Sequence, residues 1–292
     1  MNDKNQLFQH AQARMRVLAY QLLGSIHDAD DVLQEAWIRW YKIDNPAFYH
    51  QGYLHRIVVN LCLDLLRQRK SQQKQYIGWW LPEPDMAKDN FVEDLINIED
   101  QYQQASFAFL HVLEQLNPVE RAVFVLRELF DSEFDKIAEY LSKTSSNCRQ
   151  IYSRAKRKLK DTPARHETSA DQHQQLLMSF LMACQQGNEQ ALQQLLTRDA
   201  ILYSDGGGNV KAALRPIYSA AKTIRLLLAL ARKQSREAQW QLQLINGRLA
   251  AVSRLNGQLQ SVMTICANQE GIKEVFIMLN PEKLNIQQKI AS

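Results

Sequence analysis

No apolar run in this chain is long enough to cross a bilayer. The longest aliphatic stretch, Leu226 to Ala231, falls far short of the roughly 20 residues that a spanning helix needs. The first residues, Met1-Asn2-Asp3-Lys4, lack the apolar segment of a secretory signal, so a cytoplasmic location is expected. Cysteine is scarce: Cys62, Cys148, Cys184 and Cys266 lie far apart. Three of them fall on the apolar side of a predicted helix or strand, and the set reads as reduced core residues. No Cys/His cluster has the spacing of a zinc site, so neither a metal nor a cofactor is expected. Charge is nearly balanced, with 35 Lys and Arg against 31 Asp and Glu, and the net +4 is too small to identify a nucleic-acid partner. At 292 residues, 46% hydrophobic and 23% charged, the chain is long enough for two or three domains with their own cores.

The distribution of charge is more informative than its total. Basic residues cluster at Arg67 to Lys74 and Arg149 to Lys160, and acids at Asp28 to Glu35 and Glu83 to Asp100, implying different partners for different segments. In Phe134, Ile137, Ala138 and Leu141 the apolar residues follow i, i+3, i+4, i+7 spacing, the mark of a short amphipathic helix. Ser142-Lys143-Thr144 interrupts the pattern. It restarts with Cys148, Ile151, Tyr152, Ala155 and Leu159, and Thr144 or Ser145 is placed to cap the second helix. The opposite face carries Ser146, Asn147, Arg149, Gln150, Ser153, Arg154 and Arg157, with no acid between Arg149 and Lys160. This is a helix-turn-helix whose second helix suits phosphates and base edges. A solvated bundle helix shares the pattern, and the turn lacks the glycine often found there.

Upstream, residues 6 to 70 predict three helices. The first stops at Gly24, which accepts the left-handed conformation. The second begins after Asp28, a possible cap, and buries Val32, Leu33, Ala36, Trp37 and Trp40. Asp30 and Asp31 suit the first turn of a helix, but Gln34, Glu35 and Ile38 continue an acidic rim around an apolar centre, which fits a protein partner. The third helix, Tyr53 to about Arg69, leaves Tyr53, Arg56, Asn60, Asp64 and Arg67 opposite its apolar side. Aromatics, Tyr49 among them, surround the preceding loop and suit base stacking.

Two stretches carry a resemblance. His27-Asp28-Ala29-Asp30-Asp31-Val32-Leu33-Gln34-Glu35-Ala36-Trp37, followed by the helix from Tyr53 to Arg67, resembles region 2 of an extracytoplasmic-function (ECF) sigma factor of the sigma-70 family. Leu116-Asn117-Pro118-Val119-Glu120-Arg121-Ala122-Val123-Phe124 and the helix-turn-helix after it resemble region 4. The resemblance implies that Asp30, Asp31, Gln34, Glu35 and Ile38 bind the β′ clamp of core RNA polymerase. It places Tyr49, Tyr53, Arg56, Asn60, Asp64 and Arg67 at the opened −10 strand. Ser146, Asn147, Arg149, Gln150, Ser153, Arg154 and Arg157 would face the −35 duplex.

Between these regions, Tyr76-Ile77-Gly78-Trp79-Trp80-Leu81-Pro82-Glu83-Pro84 is too rich in proline and glycine for a helix, yet its adjacent tryptophans need a cover. It resembles the linker motif of one sigma subgroup, with Trp79 where proline is usual. After Asp161 the residues turn polar. A helix is expected from about Gln174 to Thr197, with Gly187 a point where it can break, then a strand from Ala200 to Ser204 and a helix from Ala212 to Lys233. Asn246-Gly247 and Asn256-Gly257 are hairpin signals, and residues 239 to 279 read as a meander.

With Asp205-Gly206-Gly207-Gly208 and Asn280-Pro281-Glu282-Lys283-Leu284, this part resembles the subgroup's SnoaL-like domain: an α+β fold with helices over a curved, cone-shaped antiparallel sheet. Asn209 stands where that subgroup usually has lysine. The implied organisation is multidomain: all-α region 2 (1–72), linker (73–115), all-α region 4 (116–162) and a SnoaL-like domain (171–292). Tyr76, Trp79, Trp80, Pro82 and Glu83 are expected to meet Asp205 to Gly208 and Asn280, Pro281 and Lys283 in a regulatory contact that a small ligand or protein could bias. Catalysis is not expected. After residue 174 there is no histidine and the only aspartates are Asp199 and Asp205, while Asp171 and His173 precede the helix and are expected in solvent. The alternative reading is a ligand-sensing helix-turn-helix repressor, which needs neither the acidic stripe nor the −10 aromatics.

Overall fold

The computed structural model describes residues 2–72, 76–86, 106–160, 168–233 and 238–284. The basic run beyond Gln72, the acidic run beyond Met86 and the boundary residues Pro163 and Glu167 lie outside the described residues. Two compact units are formed. One takes in the described residues up to 72 and from 112 to 160; the other takes in 76–86, 106–111 and everything described from 168 onward. Among the described residues, no helix is long and apolar enough to cross a membrane.

The first unit is helical, with α1 (Asn2–Leu23), α2 (Ile26–Tyr41) and α3 (Gln51–Gln72) packed on one another. Gly24, at φ +64°, closes α1 as its neighbours suggest. The cap of α2 is Ser25, whose hydroxyl accepts from the Asp28 N–H, so the helix starts earlier than the expected cap at Asp28. Trp40 is fully buried, and its indole N–H donates to the Lys4 carbonyl at 3.1 Å.

Beyond α4 (Phe107–Leu113) come α5 (Pro118–Glu128), α6 (Phe134–Leu141) and α7 (Ser145–Lys158). α5 begins with a capping box in which Asn117 and Glu120 each bind the other's backbone N–H. Arg121 is buried because its polar atoms are matched: Nε donates to Leu113 O, Nη1 to Leu22 O, and Glu114 balances the charge at 2.7 Å. In place of the missing glycine, Ser142 takes the left-handed conformation that ends α6, at φ +51°.

The second unit is α+β. Helix α8 (Ala170–Gln186) stops at left-handed Gly187, and α9 (Glu189–Leu195) follows, so the break suspected near Gly187 is real. Six strands follow: β1 (Leu196–Asp205), β2 (Ile217–Tyr218), β3 (Gln239–Ile245), β4 (Arg248–Leu255), β5 (Gln258–Asn268) and β6 (Gly271–Met278), in the order β2-β1-β6-β5-β4-β3. The meander is antiparallel, and β1 lies parallel to β6. Both Asn-Gly turns hold two successive positive φ angles, as a two-residue hairpin of right-handed twist requires. The helix expected from Ala212 is shorter, α10 (Ala220–Lys233), because Pro216 cannot sit inside a helix and the next two residues pair with β1.

Alternation along the strands separates two cores. Leu202, Ile265, Val275 and Ile277 face α8, α9 and α10. Tyr203, Cys266, Phe276 and Met278 face the other way, where Leu81, Met86, Phe107 and Ala108 cover them. Phe107 and Ala108 belong to α4 (Phe107–Leu113), which ordinary i, i+3 spacing could have revealed in the stretch read as linker. All four cysteines are free thiols, three of them buried.

Candidate functional site

Helix α7 is oriented by its cap and by the ridge beneath it. Thr144 Oγ1 accepts from the Asn147 N–H at 3.2 Å, and Cys148, Ile151 and Ala155 are buried as α7 packs on α5 and α6. That rotation leaves Ser146, Asn147, Arg149, Gln150, Ser153, Arg154 and Arg157 all exposed. The Arg149 guanidinium lies 5.5 Å from the centre of the Phe134 ring, a cation–π contact that restricts its reach.

On α2, Asp31, Gln34 and Ile38 are exposed, and Glu35 pairs with Arg39 at 2.7 Å one turn away. Asp30 differs from its neighbours, because its carboxylate takes both Nε and Nη2 of Arg16 on α1. Around α3, the Tyr49 hydroxyl donates to Ile43 O at 3.0 Å and the Tyr53 ring packs 4.8 Å from Phe48. Asp64 and Arg67 form an exposed pair at 2.8 Å. Arg56 and Asn60 turn to α6 instead: Arg56 Nη2 donates to Ser142 Oγ and Asn60 Nδ2 to Tyr140 O, each at 3.3 Å. The His55 ring stacks on Tyr140 at 6.0 Å.

In the second unit, residues 76–85 are held by a buried carboxylate at the end of β1. Asp205 has no exposed surface and accepts four donors. The Tyr76 hydroxyl at 2.6 Å and the Gly207 N–H at 3.0 Å reach Oδ1. The Leu81 N–H at 2.9 Å and Lys283 Nζ at 2.7 Å reach Oδ2. Lys283 also donates to Leu81 O at 2.5 Å and lies 4.2 Å above the Trp80 ring. Asn280 Nδ2 donates to the Tyr76 oxygen at 3.1 Å. Burial, reinforced by Asp205, pushes the Tyr76 phenol well above its ordinary range, so it stays protonated and able to donate.

The glycine run makes this approach possible. A Cβ on Gly206 would lie 2.2 Å from Val210 O, and one on Gly207, at φ +60°, would lie 2.3 Å from Asn280 Nδ2. Gly208 faces Ile77. Pro82 and Glu83 are buried, and Pro281 lines a cavity on the helix side of the sheet. Asn209 is exposed and donates to Glu282 at 3.4 Å.

Trp79 packs on Tyr203 at 5.5 Å and near His111 at 6.1 Å. His111 escaped the sequence reading, since nothing in its neighbours marks it as more than a helix residue. It is buried against Tyr203 and Phe276, and burial lowers its imidazole from the ordinary 6.5 to about 4. A group held neutral in this way contributes full stability above pH 6.5, and that stability falls as the pH drops toward 4 because only the unfolded chain takes the proton. Between pH 7 and 5 the loss should be about 2 kcal/mol. Urea unfolding of the second unit at the two pH values measures it, and the loss should shrink in His111→Gln.

His173 corrects an expectation. It is buried, not solvated, with Nε2 2.8 Å from Leu249 O, because α8 begins at Ala170 and puts His173 on the face of Leu177 and Phe180.

Residues 7–72 match the family described as Sigma-70 region 2, and residues 106–159 match Sigma-70, region 4. The ECF RNA polymerase sigma factor SigJ of Mycobacterium tuberculosis (strain ATCC 25618 / H37Rv) is 31% identical over 247 residues, 84% of this chain and 79% of the relative. The probable ECF RNA polymerase sigma factor SigI of M. tuberculosis (strain CDC 1551 / Oshkosh) is 30% identical over 186 residues, 61% of this chain and 62% of that protein. The crystal structure of M. tuberculosis SigJ superposes with a TM-score of 0.74 at 27% identity, covering 96% of this chain and 97% of that one. With region 2, region 4 and an α+β domain in that order, the chain belongs to the extracytoplasmic-function RNA polymerase sigma factors.

Proposed function

We propose that this sigma factor binds core RNA polymerase through the exposed stripe of α2, reads the −35 duplex with α7, captures the −10 strand with α3 and the loop before it, and is regulated by the Asp205 clamp. It works in the cytoplasm beside its polymerase. The observation that carries the regulatory part is the convergence of Tyr76, Leu81 and Lys283 on one wholly buried carboxylate. The segment joining region 2 to region 4 is anchored on the α+β domain at Leu81 and Met86 and again at Phe107 and Ala108. Anchoring both ends of a connection limits how far the regions it joins can separate. Arg56 and Asn60, engaged with α6, must be released before they can meet a single strand.

A catalytic role for Asp205 does not fit this environment. Its oxygens are saturated by four donors and closed to substrate, whereas a general base needs a free lone pair within reach of the reacting proton.

Run-off transcription with core polymerase and the gene's own upstream region tests the reading. A chain ending at Leu279 lacks Asn280 and Lys283 and should show altered promoter-dependent transcription. Unchanged output from a truncated protein that still folds would count against the clamp. Separately, replacing Asp31 and Glu35 with Asn and Gln should weaken core binding by about tenfold. The −35 duplex affinity should stay the same. Intact core affinity in that variant would remove the assignment of the stripe.

A further inference from the structure

Beneath α8 and α10 the sheet bounds a cavity of about 740 Å³, within the ~300–1,000 Å³ usual for small-molecule sites. Leu181, Leu227, Leu230, Met263 and Ile277 supply an apolar wall. Hydrogen-bonding groups come from the β4–β5 hairpin, with Gln185 of α8 and Trp240 of β3 also on the wall. Ser253 and Ser261 are buried cross-strand partners that both line the cavity, joined by Gln258 and Gln260 of the same hairpin. Lys233, at the end of α10, is the one charged group among the described residues lining it. The Lys233 ammonium disfavours a cationic ligand and offers a counter-charge to an anionic one. An apolar body with one carboxylate or hydroxyl end matches the walls, the serine pair and the lysine.

The cavity shares a segment with the clamp. Leu279, Pro281 and Leu284 line it, while the residues between them, Asn280 and Lys283, hold Tyr76, Asp205 and Leu81 O. The Leu279 N–H itself donates to Asp205 O at 2.8 Å. Movement of the cavity-lining side chains in residues 279–284 is therefore movement of the residues that grip the linker.

We propose that this cavity binds a small amphipathic molecule with an apolar body and a single carboxylate or hydroxyl end, and that the segment 279–284 transmits its occupancy to the linker clamp. The regulatory half rests on the clamp reading above. A ligand shifts the clamp only to the extent that it binds one arrangement of this segment better than the other.

The test uses the full chain with sodium dodecanoate, and with dodecyltrimethylammonium as the cationic counterpart, both below their micellar concentrations. Titration calorimetry should show saturable binding of dodecanoate and none of the ammonium compound. Hydrogen exchange at the Leu81 amide, which donates to Asp205, should change by about fivefold on binding. Ala231→Trp, at the half-buried edge of the cavity, should weaken dodecanoate by about tenfold. Leu230→Gln at the exposed mouth gives a milder loss if the tryptophan variant does not fold.

Absence of saturable dodecanoate binding, equal binding of both compounds, unchanged affinity in a folded cavity variant, or unchanged Leu81 exchange at saturation would each overturn the proposal. If Asp205→Ala alters transcription while dodecanoate leaves Leu81 exchange unchanged, the cavity inference fails and the clamp stands. If Asp205→Ala leaves transcription unchanged, the clamp reading fails whatever the cavity binds.

Discussion

Asp205→Ala should destabilise the second unit by about 3–5 kcal/mol, the range for removing one partner of a buried ion pair. The loss is large because Lys283 loses the carboxylate 2.7 Å from its ammonium, and because Tyr76, Leu81 and Gly207 each lose an acceptor. Replacing both charges, Asp205→Leu with Lys283→Met, should recover much of this, since no buried ammonium is then separated from its carboxylate. Exchange at Leu81 and Leu279 in rising urea reports the second unit specifically. A single variant as stable as the parent, or a double variant no better than the single, would show that the pair is not what fixes the linker. The alanine variant should also release residues 76–81, seen as faster proteolysis there.

Arg149→Ala and Arg154→Ala carry the second large effect. Each should weaken −35 duplex binding by about 1–3 kcal/mol if the guanidinium is bidentate to a guanine, and relax preference at one base pair. Neither substitution removes a buried residue of α7, because both side chains are exposed while Cys148, Ile151 and Ala155 hold the helix; Arg149→Ala loses only the contact with Phe134. A phosphate contact would weaken all sequences alike and reduce the salt dependence of binding. Binding assays on a promoter and a scrambled duplex at two salt concentrations separate these outcomes. Undiminished affinity in both variants would move the DNA-reading surface away from this face. Arg149 should show the smaller effect of the two if its contact with Phe134 persists on DNA.

Much of this molecule is legible from local chemistry. The ends at Gly24 and Gly187 and the two Asn-Gly hairpins depend on backbone groups a few residues apart, and each occurs as expected; the capping box of Asn117 and Glu120 is equally local. The exposed face of α7 follows equally from helical periodicity, since burying Cys148, Ile151 and Ala155 forces the arginines outward. Where a local pattern misled, a nearby partner had outcompeted it. Ser25 took the cap from Asp28, β1 drew Ile217 and Tyr218 out of the expected helix, and an earlier start of α8 buried His173.

By itself the sequence determined the order of the parts and the outward face of α7, because helix phase and turn chemistry act over a few residues. Tertiary structure alone decided what Asp205 does. Four donors from residues 76, 81, 207 and 283 reach it, three of them from segments 78 to 129 positions away, and no periodicity encodes a meeting at that separation. The same holds for Arg56 and Asn60, whose spacing on α3 suggests a face for single-stranded DNA but whose partners lie on α6. A side chain's outward direction is a property of its own helix, while its partner is set by where the rest of the chain folds back.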